Sequence, residues 1–275
     1  MRSNRQSSEK ESMINENKIR ETCASNRGRG FKMLMDVFQE PIYNYIRRLV
    51  VSHEDAEDVL QEVFIRVFRH LDQFRSESSL STWIYQIATN ESLRLLNDRK
   101  EERNVASEEI QEELINKLQA SDYIDYENEL AVKFQEAILS LPEKQRLVFN
   151  LRYYDELEYE EIARILDSKV ETLKVNYHYA KEKKDFDFDD IGKRTPYRTP
   201  DGFFEDMQRR VMERAGVKQR RKSHLKLIVS AVVTMAAILA GFLFVPSLRQ
   251  INDVKSPSSI LAVDRSNGTD AVDKW

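Results

Sequence analysis

The sequence predicts an all-α protein with two small helical domains joined by an acidic linker and followed by one transmembrane helix. Three observations lead to this fold class. Glycine and proline are scarce, at 7 and 6 of 275 residues, whereas sheet-rich folds need many turn residues. Apolar residues recur at helical spacing through most of residues 31–183. Near the C-terminus, one long apolar stretch carries no charge.

The composition also restricts the function. Charged residues make up 33% of the chain and the mean hydropathy is −0.60, which excludes a polytopic membrane protein. The single cysteine, Cys23, excludes an internal disulfide framework and a cysteine-based zinc site. The four histidines lack metal-site spacing, and P-loop, GxGxxG and GxSxG motifs are absent. We therefore expect no cofactor, no metal site and no catalytic residue, so the chain is not expected to be an enzyme.

The first domain is predicted at residues 25–103. It follows a polar leader, residues 1–24, that we expect to be disordered and in which Met1 or Met13 is the natural start. Apolar stripes predict a helix through Met35, Phe38, Ile42, Tyr45, Ile46 and Leu49, and another through Val59, Leu60, Val63, Phe64, Val67, Phe68 and Leu71. A third helix follows the cap candidates Ser78–Ser79 or Ser81–Thr82 and carries Trp83, Ile84, Ile87, Ala88 and Leu93.

Residues 104–128 change in character, with seven acidic residues against one basic residue, Lys117. The apolar residues around Ile110–Leu118 allow a short helix, but the composition favours an acidic linker. A second domain is predicted at residues 129–183, with four short helices. The first ends near Pro142, which restricts the preceding residue, and the second carries Leu147, Val148, Leu151 and Tyr154.

The last two helices of this domain, Tyr159–Leu166 and about Val170 to Lys183, have the pattern of a helix-turn-helix. Asp167 stands at the turn, where glycine is usual, and aspartate accepts the left-handed conformation better than most residues. Leu173, Tyr177 and Ala180 are expected to face the core. An outward face remains, with Lys174 and Lys181 suited to phosphates and Glu171, Thr172, Val175 and His178 suited to base edges.

A helical hairpin with a merely solvated charged face remains an alternative to DNA binding. The net charge of −4 lacks the basic signature of a protein that binds DNA alone. Dependence on a partner for DNA binding reconciles the two observations.

The C-terminal third is expected to be membrane-associated. Residues 184–224 are charged and irregular, and we expect a cytoplasmic juxtamembrane segment there. A run of 19 uncharged residues, 227–245, lies within a predicted transmembrane helix at 225–248. Basic residues cluster just before this helix, and the tail at 249–275 has spread-out charges. The positive-inside rule therefore predicts cytoplasmic domains with the N-terminus inside, a single-pass inner-membrane anchor and an extracytoplasmic tail. The alternative is a buried core helix.

Taken together, residues 25–183 resemble the extracytoplasmic-function (ECF) sigma factors, the minimal two-domain sigma factors of bacterial RNA polymerase. Asp55–Phe68 resembles region 2.2 of that family, and Phe74–Arg75 with Leu80–Asn90 resembles region 2.3 running into region 2.4. Leu141–Arg146 and the helix-turn-helix resemble region 4. These motifs occur in the family's order, which makes the combination more specific than any one of them.

The resemblance implies partners and site residues. The partners would be the RNA polymerase core, through its β′ coiled coil and β flap, and promoter DNA. Asp58, Gln61 and Glu62 share one helical face and would bind the coiled coil. The promoter −10 element would be opened by Trp83, Tyr85, Asn90 and Arg94, with backbone contacts from Arg99, Lys100 and Arg103. The −35 element would be bound by Glu171, Thr172, Lys174, Val175, His178 and Lys181.

Beyond Lys183 the chain departs from the family. Residues 197–204, the basic run and the apolar stretch resemble a small single-pass membrane anti-sigma or regulatory protein. This segment is either a true fusion, which would tether or regulate the sigma activity, or a merged neighbouring reading frame. A separate anti-sigma factor is a further candidate partner. Two other readings stay open: a membrane-anchored helix-turn-helix regulator that acts without polymerase docking, and a membrane adaptor that uses its helices only for protein contacts.

Overall fold

The computed structural model describes residues 16–74, 78–182 and 191–217, and this part of the chain is almost entirely helical. After a helical segment at residues 16–25, its α-helices are numbered α1 (Arg27–Val50), α2 (His53–His70), α3 (Leu80–Arg103), α4 (Ser107–Ala120), α5 (Glu129–Leu139), α6 (Glu143–Phe149), α7 (Tyr159–Leu166), α8 (Val170–Glu182) and α9 (Phe203–Arg214). A 3₁₀ turn at Leu71–Gln73 follows α2, and a π-helical turn at Asn150–Tyr154 continues α6. The chain is all-α within the described residues, as the sequence predicts.

The first domain is built from α1, α2 and α3, which begin at side-chain caps. Asn26 accepts a hydrogen bond from the backbone N–H of Arg29, and Ser52 accepts one from that of Asp55. Ser79 accepts one from Thr82 at 3.0 Å, which decides between the two predicted cap sites of the third helix. The predicted apolar stripes form the core between these helices.

The N-terminal segment corrects one expectation. Residues 16–25 are helical, and Ile19 is buried in the core of the first domain. The Glu16 carboxylate accepts hydrogen bonds from the backbone N–H groups of Leu80 at 3.0 Å and Ser81 at 3.3 Å. These groups belong to the first turn of α3, where N–H groups lack helical partners. The expected disordered leader is therefore ordered from residue 16 onward, and residues 1–15 lie outside the described part.

The acidic segment expected as a linker forms a packed helix, α4. Ile110, Leu114 and Leu118, spaced four residues apart, are buried against Leu96 of α3 and Leu139 of α5. The carboxylates lie around this stripe, where Glu113 pairs with Arg103 at 2.6 Å and with Lys117 at 3.0 Å. The interpretation as a linker was wrong because it weighed the charges above a complete apolar stripe.

Helices α5 to α8 form the second domain, which packs directly on the first. Leu147, Val148, Leu151, Ile162, Ile165 and Leu173 belong to the same hydrophobic cluster as the core of α1, α2 and α3. Arg48 of α1 also hydrogen-bonds to Asn150 and to Asp155. The two predicted domains therefore share one core in this structure.

The segment expected to be irregular, 184–224, contains α9. Phe203, Met207, Val211 and Met212 are buried against the first domain, because their spacing gives the helix one apolar face. Gly202 precedes α9 with φ 72°, a left-handed conformation that favours glycine. Residues 183–190 and 218–275 lie outside the described part, and so does the predicted transmembrane helix at 225–248. Among the described residues, no helix is both long and apolar enough to cross a membrane.

Candidate nucleic-acid interface

The helix-turn-helix is formed by α7, which has the predicted bounds, and α8, which begins at the predicted Val170 and is described to Glu182. Asp167 ends α7 in the left-handed conformation, with φ 45° and ψ 55°, and its N–H donates to the Ala163 carbonyl. This confirms the prediction for the turn. Leu173 and Ala180 are buried, and the Tyr177 ring stacks on Phe149 with their centroids 5.8 Å apart. The predicted inner face of α8 therefore holds it against the second domain.

The outer face of α8 is open to solvent within the described structure. All six predicted contact residues are exposed: Glu171, Thr172, Lys174, Val175, His178 and Lys181. Some of these side chains have partners within the chain: His178 Nε2 lies 3.1 Å from Glu182 Oε1, and Lys174 Nζ lies 5.7 Å from the Tyr159 ring centroid. Tyr179, 52% exposed, extends the apolar surface of Val175, 51% exposed. Tyr179 was not among the predicted contact residues, although its i+4 spacing from Val175 places both side chains on one face of α8.

A second open site lies beside α3. Trp83 and Asn90 line a cleft of about 340 Å³ together with Arg66, His70, Phe74, Ile87 and Glu91. The centroids of the Phe74 and Trp83 rings lie 5.0 Å apart, and the angle between the ring planes is 33°. Two aromatic faces, an exposed amide and the guanidinium of Arg66 in one cleft suit an unstacked nucleic-acid base. Arg66 and His70 come from α2, so helical spacing along α3 alone did not reveal them.

Arg94 lies near this cleft, but its guanidinium is engaged. Arg94 Nη2 lies 2.8 Å from Glu91 Oε2, and Nη1 lies 3.4 Å from Asp98 Oδ2. Hydrogen bonding and charge from Glu91 raise the pKa of Arg94. Glu91 also forms an ion pair with Arg66, with Arg66 Nε 2.9 Å from Glu91 Oε1. One buried carboxylate therefore positions two arginines at the cleft.

Tyr85 does not join the other predicted −10 residues. It is 5% exposed, and its hydroxyl donates to Asp155 Oδ1 at 3.1 Å. Burial of the hydroxyl raises the pKa of Tyr85. At about 100° per residue, Tyr85 points to a different side of α3 from Trp83 and Asn90. We therefore remove Tyr85 from the DNA-contact set: in this structure its role is to join the two domains.

The basic residues at the end of α3 are also engaged within the chain. Arg99 Nη1 donates to Asp55 Oδ2 at 2.8 Å, and Lys100 Nζ donates to Ser107 Oγ at 2.8 Å. Burial raises the pKa of Asp55, but Arg99 and Lys117 outweigh it and leave this pKa below its usual range. Arg103 pairs with Glu113 although its side chain is 54% exposed. These contacts join α3 to α2 and α4, so the three residues would have to give up partners within the chain to make the expected DNA-backbone contacts.

The predicted polymerase-binding face on α2 is only partly open. Asp58 is exposed, and Glu62 is half-buried and lies 3.3 Å from Arg66 Nε. Gln61 is 8% exposed. Its amide donates to Glu57 Oε1 at 3.2 Å, and its Oε1 accepts from Arg214 of α9 at 3.2 Å. A segment of the chain itself thus covers one of the three predicted residues.

Comparisons with known proteins match both domains. The family model Sigma-70 region 2 matches residues 34–102, and Sigma-70, region 4 matches residues 131–183. The chain is 32% identical over 159 residues to the ECF RNA polymerase sigma factor SigW of Bacillus subtilis, which covers 55% of this chain and 85% of that protein. It is 33% identical over 168 residues to the ECF RNA polymerase sigma-E factor of Escherichia coli K12, which covers 57% and 85%.

Two solved structures are similar in shape. One is CnrH in complex with the cytosolic domain of CnrY, with a TM-score of 0.46 and 17% identity; the match covers 62% of this chain and 94% of that chain. The other is RpoE in complex with the anti-sigma factor NepR from Bartonella quintana, with a TM-score of 0.45 and 21% identity; the match covers 56% of this chain and 92% of that chain.

The two family matches also separate the functional alternatives. A regulator that used only the helix-turn-helix would not need a region 2 domain, so the membrane-anchored regulator is not supported. The adaptor that uses its helices only for protein contacts gains no support either, because both matches are to sigma-factor regions. The membrane-like character of the C-terminal third gains no support, since both family matches end by residue 183. The chain belongs to the ECF family of RNA polymerase sigma factors, which are DNA-binding transcription initiation factors and not enzymes.

Proposed function

We propose that this sigma factor docks on the RNA polymerase core through α2, binds the promoter −35 element through α8 and opens the −10 element at the cleft beside α3. The observation that carries the proposal is the exposure of every predicted contact residue of α8 on a helix whose inner face is buried. This arrangement leaves a continuous outer surface that fits the major groove.

Within this surface, two kinds of contact have separate roles. Lys174 and Lys181 contribute charge that favours the phosphate backbone irrespective of sequence. Glu171, Thr172, Val175 and His178 provide acceptors, a hydroxyl and a methyl surface, which distinguish base edges. The cleft beside α3 has a different task, because Trp83 and Phe74 offer aromatic faces to a base that has left the duplex, and Asn90 offers an amide.

Core docking is assigned to Asp58 and Glu62, with Gln61 as a third member of the face once it is uncovered. The test is co-purification of the full chain with core polymerase. Asp58→Lys with Glu62→Lys should weaken binding, because the charge reversal opposes a basic partner surface. Glu127→Lys with Glu129→Lys, at two exposed acidic positions by the start of α5, makes the same charge change and should leave binding intact. Equal binding by both double variants would remove the α2 face from the interface.

We also propose that residues 225–248 tether the chain to the inner membrane. The support is the 19-residue uncharged run with a basic cluster before it. The test is an immunoblot of membrane and supernatant fractions with tags at both ends. One membrane-bound band near 32.4 kDa is expected. Two shorter products would mean two separate chains, and a full-length product in the supernatant would exclude the tether.

A further inference from the structure

Helix α9 lies in a groove between α1 and α2, outside both segments that match sigma-family models. Its apolar face contributes Phe203, Met207 and Val211 to the core of the first domain. The Phe203 ring lies 4.8 Å from the Tyr43 ring and 5.0 Å from the His53 ring. The helix is thus seated on region 2 by a packed apolar contact.

The polar contacts of α9 extend onto the side of α2 assigned to the polymerase. Arg210 forms an ion pair with Glu57, and Arg214 Nη1 donates to Gln61 Oε1 at 3.2 Å. Glu57 and Gln61 are one turn apart and hydrogen-bonded to each other, so they form a single acceptor surface. On the other side of the groove, Gln208 Nε2 donates to Asp36 Oδ1 at 2.6 Å.

We propose that α9 is an intramolecular inhibitor of core-polymerase docking, and this inference rests on the proposed role of the α2 face. The helix presents two guanidinium groups to Glu57 and Gln61. Gln61 belongs to the face assigned to the polymerase, and Glu57 is the residue next to Asp58 of that face. While α9 stays docked, Gln61 Oε1 accepts a hydrogen bond from Arg214. A polymerase side chain that donates to the same oxygen would have to take the place of Arg214. Binding of α9 and binding of the core therefore compete for one face of α2.

The contact has the properties of a reversible inhibitor. The Arg210 side chain is 40% exposed and Glu57 is 20% exposed, so solvent screens their ion pair and its contribution is small. The buried apolar stripe provides most of the attraction, over a helix of only 12 residues. A short helix held by one apolar face is able to leave without unfolding α1 and α2, which pack on each other independently of it.

The test compares charge reversals at two adjacent arginines in the full chain. Arg210→Glu places a carboxylate against Glu57, whereas Arg209→Glu makes the same change on the outer face of α9, where Arg209 pairs with Asp206. Core-polymerase affinity and hydrogen exchange of α9 are measured for both variants and the original chain. Arg210→Glu should raise the hydrogen exchange of α9 and tighten core binding by about two- to fivefold, because loss of a partly exposed ion pair shifts the balance between docked and released α9 by about that factor. Arg209→Glu should change neither.

Met207→Asp is a second variant designed to release α9, because it places a carboxylate in the apolar groove. It replaces Arg210→Glu in the comparison if hydrogen exchange shows that α9 stays docked in Arg210→Glu. Equal core affinity for the original chain and a variant in which α9 exchanges freely would overturn the inhibitor role while leaving the proposed docking intact. Failure of every variant, including those with α9 released, to bind the core would contradict the proposed docking function and the inhibitor role together.

Discussion

Arg48 of α1 and Asp155, which follows the π-helical turn of the second domain, form a buried ion pair with Nη2 and Oδ2 2.6 Å apart. Their side chains are 4% and 8% exposed. Arg48 Nε also donates to Asn150 Oδ1 at 3.2 Å, and Asp155 accepts from the Tyr85 hydroxyl. This cluster joins the first domain to the second domain, which carries the helix-turn-helix.

Arg48→Met should destabilise the chain by about 3–5 kcal/mol, because it leaves the Asp155 carboxylate buried without its cation. Burial already outweighs the attraction of Arg48 and raises the pKa of Asp155, so this carboxylate depends on its partners. The measurement is the free energy of unfolding in urea. Lys133→Met, which breaks the exposed pair with Glu129, should cost at most about 1 kcal/mol. If the two variants lose similar amounts of unfolding free energy, the Arg48 pair does not stabilise the contact between the two domains.

Leu114→Ala in α4 should reduce the free energy of unfolding by about 2–5 kcal/mol, because Leu114 is 1% exposed and its loss leaves a cavity. Glu112→Ala, at an exposed position of the same helix, should stay within about 0.5 kcal/mol of the original chain. Both are measured by urea unfolding. A negligible effect of Leu114→Ala would return residues 104–128 to the role of a linker.

Lys174→Ala should weaken promoter binding to a similar extent on all sequences and lower the slope of log affinity against log salt by about 1, as for one lost phosphate contact. The measurement is a salt titration of holoenzyme binding to several promoter variants. Lys133→Ala removes an exposed lysine outside the helix-turn-helix and should leave the slope unchanged. A Lys174→Ala variant that shifts base preference but keeps the full salt slope would show that Lys174 contacts a base edge instead.

His53 should make stability depend on pH. Burial, aided by Arg47, lowers its pKa from 6.5. Tyr43, Phe203 and the Glu57 carboxylate also surround the ring. The folded state therefore binds a proton at His53 less readily than the unfolded state does. The contribution of His53 to stability is fully present above about pH 6.5 and is lost as the pH falls through the folded-state pKa.

The measurement is the free energy of unfolding between about pH 7.5 and pH 5.5. His53→Gln should reduce the loss on acidification. His178→Gln, which replaces a histidine with a 66% exposed side chain, should keep the loss seen in the original chain. An unchanged pH dependence in His53→Gln would exclude this histidine as the source.

The parts of the fold that depend on local spacing could be predicted from the sequence. The bounds of Tyr159–Leu166, the left-handed Asp167 and the inward Leu173 and Ala180 follow from residues within a few positions of each other. Helical periodicity and turn preference are local properties, which a single sequence displays.

The features that depend on distant partners were not predicted. Tyr85 was predicted as a DNA contact. Its hydrogen-bond partner, Asp155, lies 70 residues away in the sequence, so the local pattern did not show that the Tyr85 hydroxyl is buried. The apolar stripe of α9 was visible at Phe203, Met207 and Val211, but the surrounding charges obscured it. Nothing in the sequence alone indicated that this stripe has a groove to fill between α1 and α2.

The most direct test of the central claim is run-off transcription on a library of genomic fragments, with bacterial core polymerase and either the full chain or its Arg210→Glu variant. We expect transcripts with defined 5′ ends, which share upstream −35 and −10 elements, only when the chain is added. Their yield should rise with Arg210→Glu. The same pattern of transcripts from core polymerase alone, or no defined start with either form of the chain, would contradict the account.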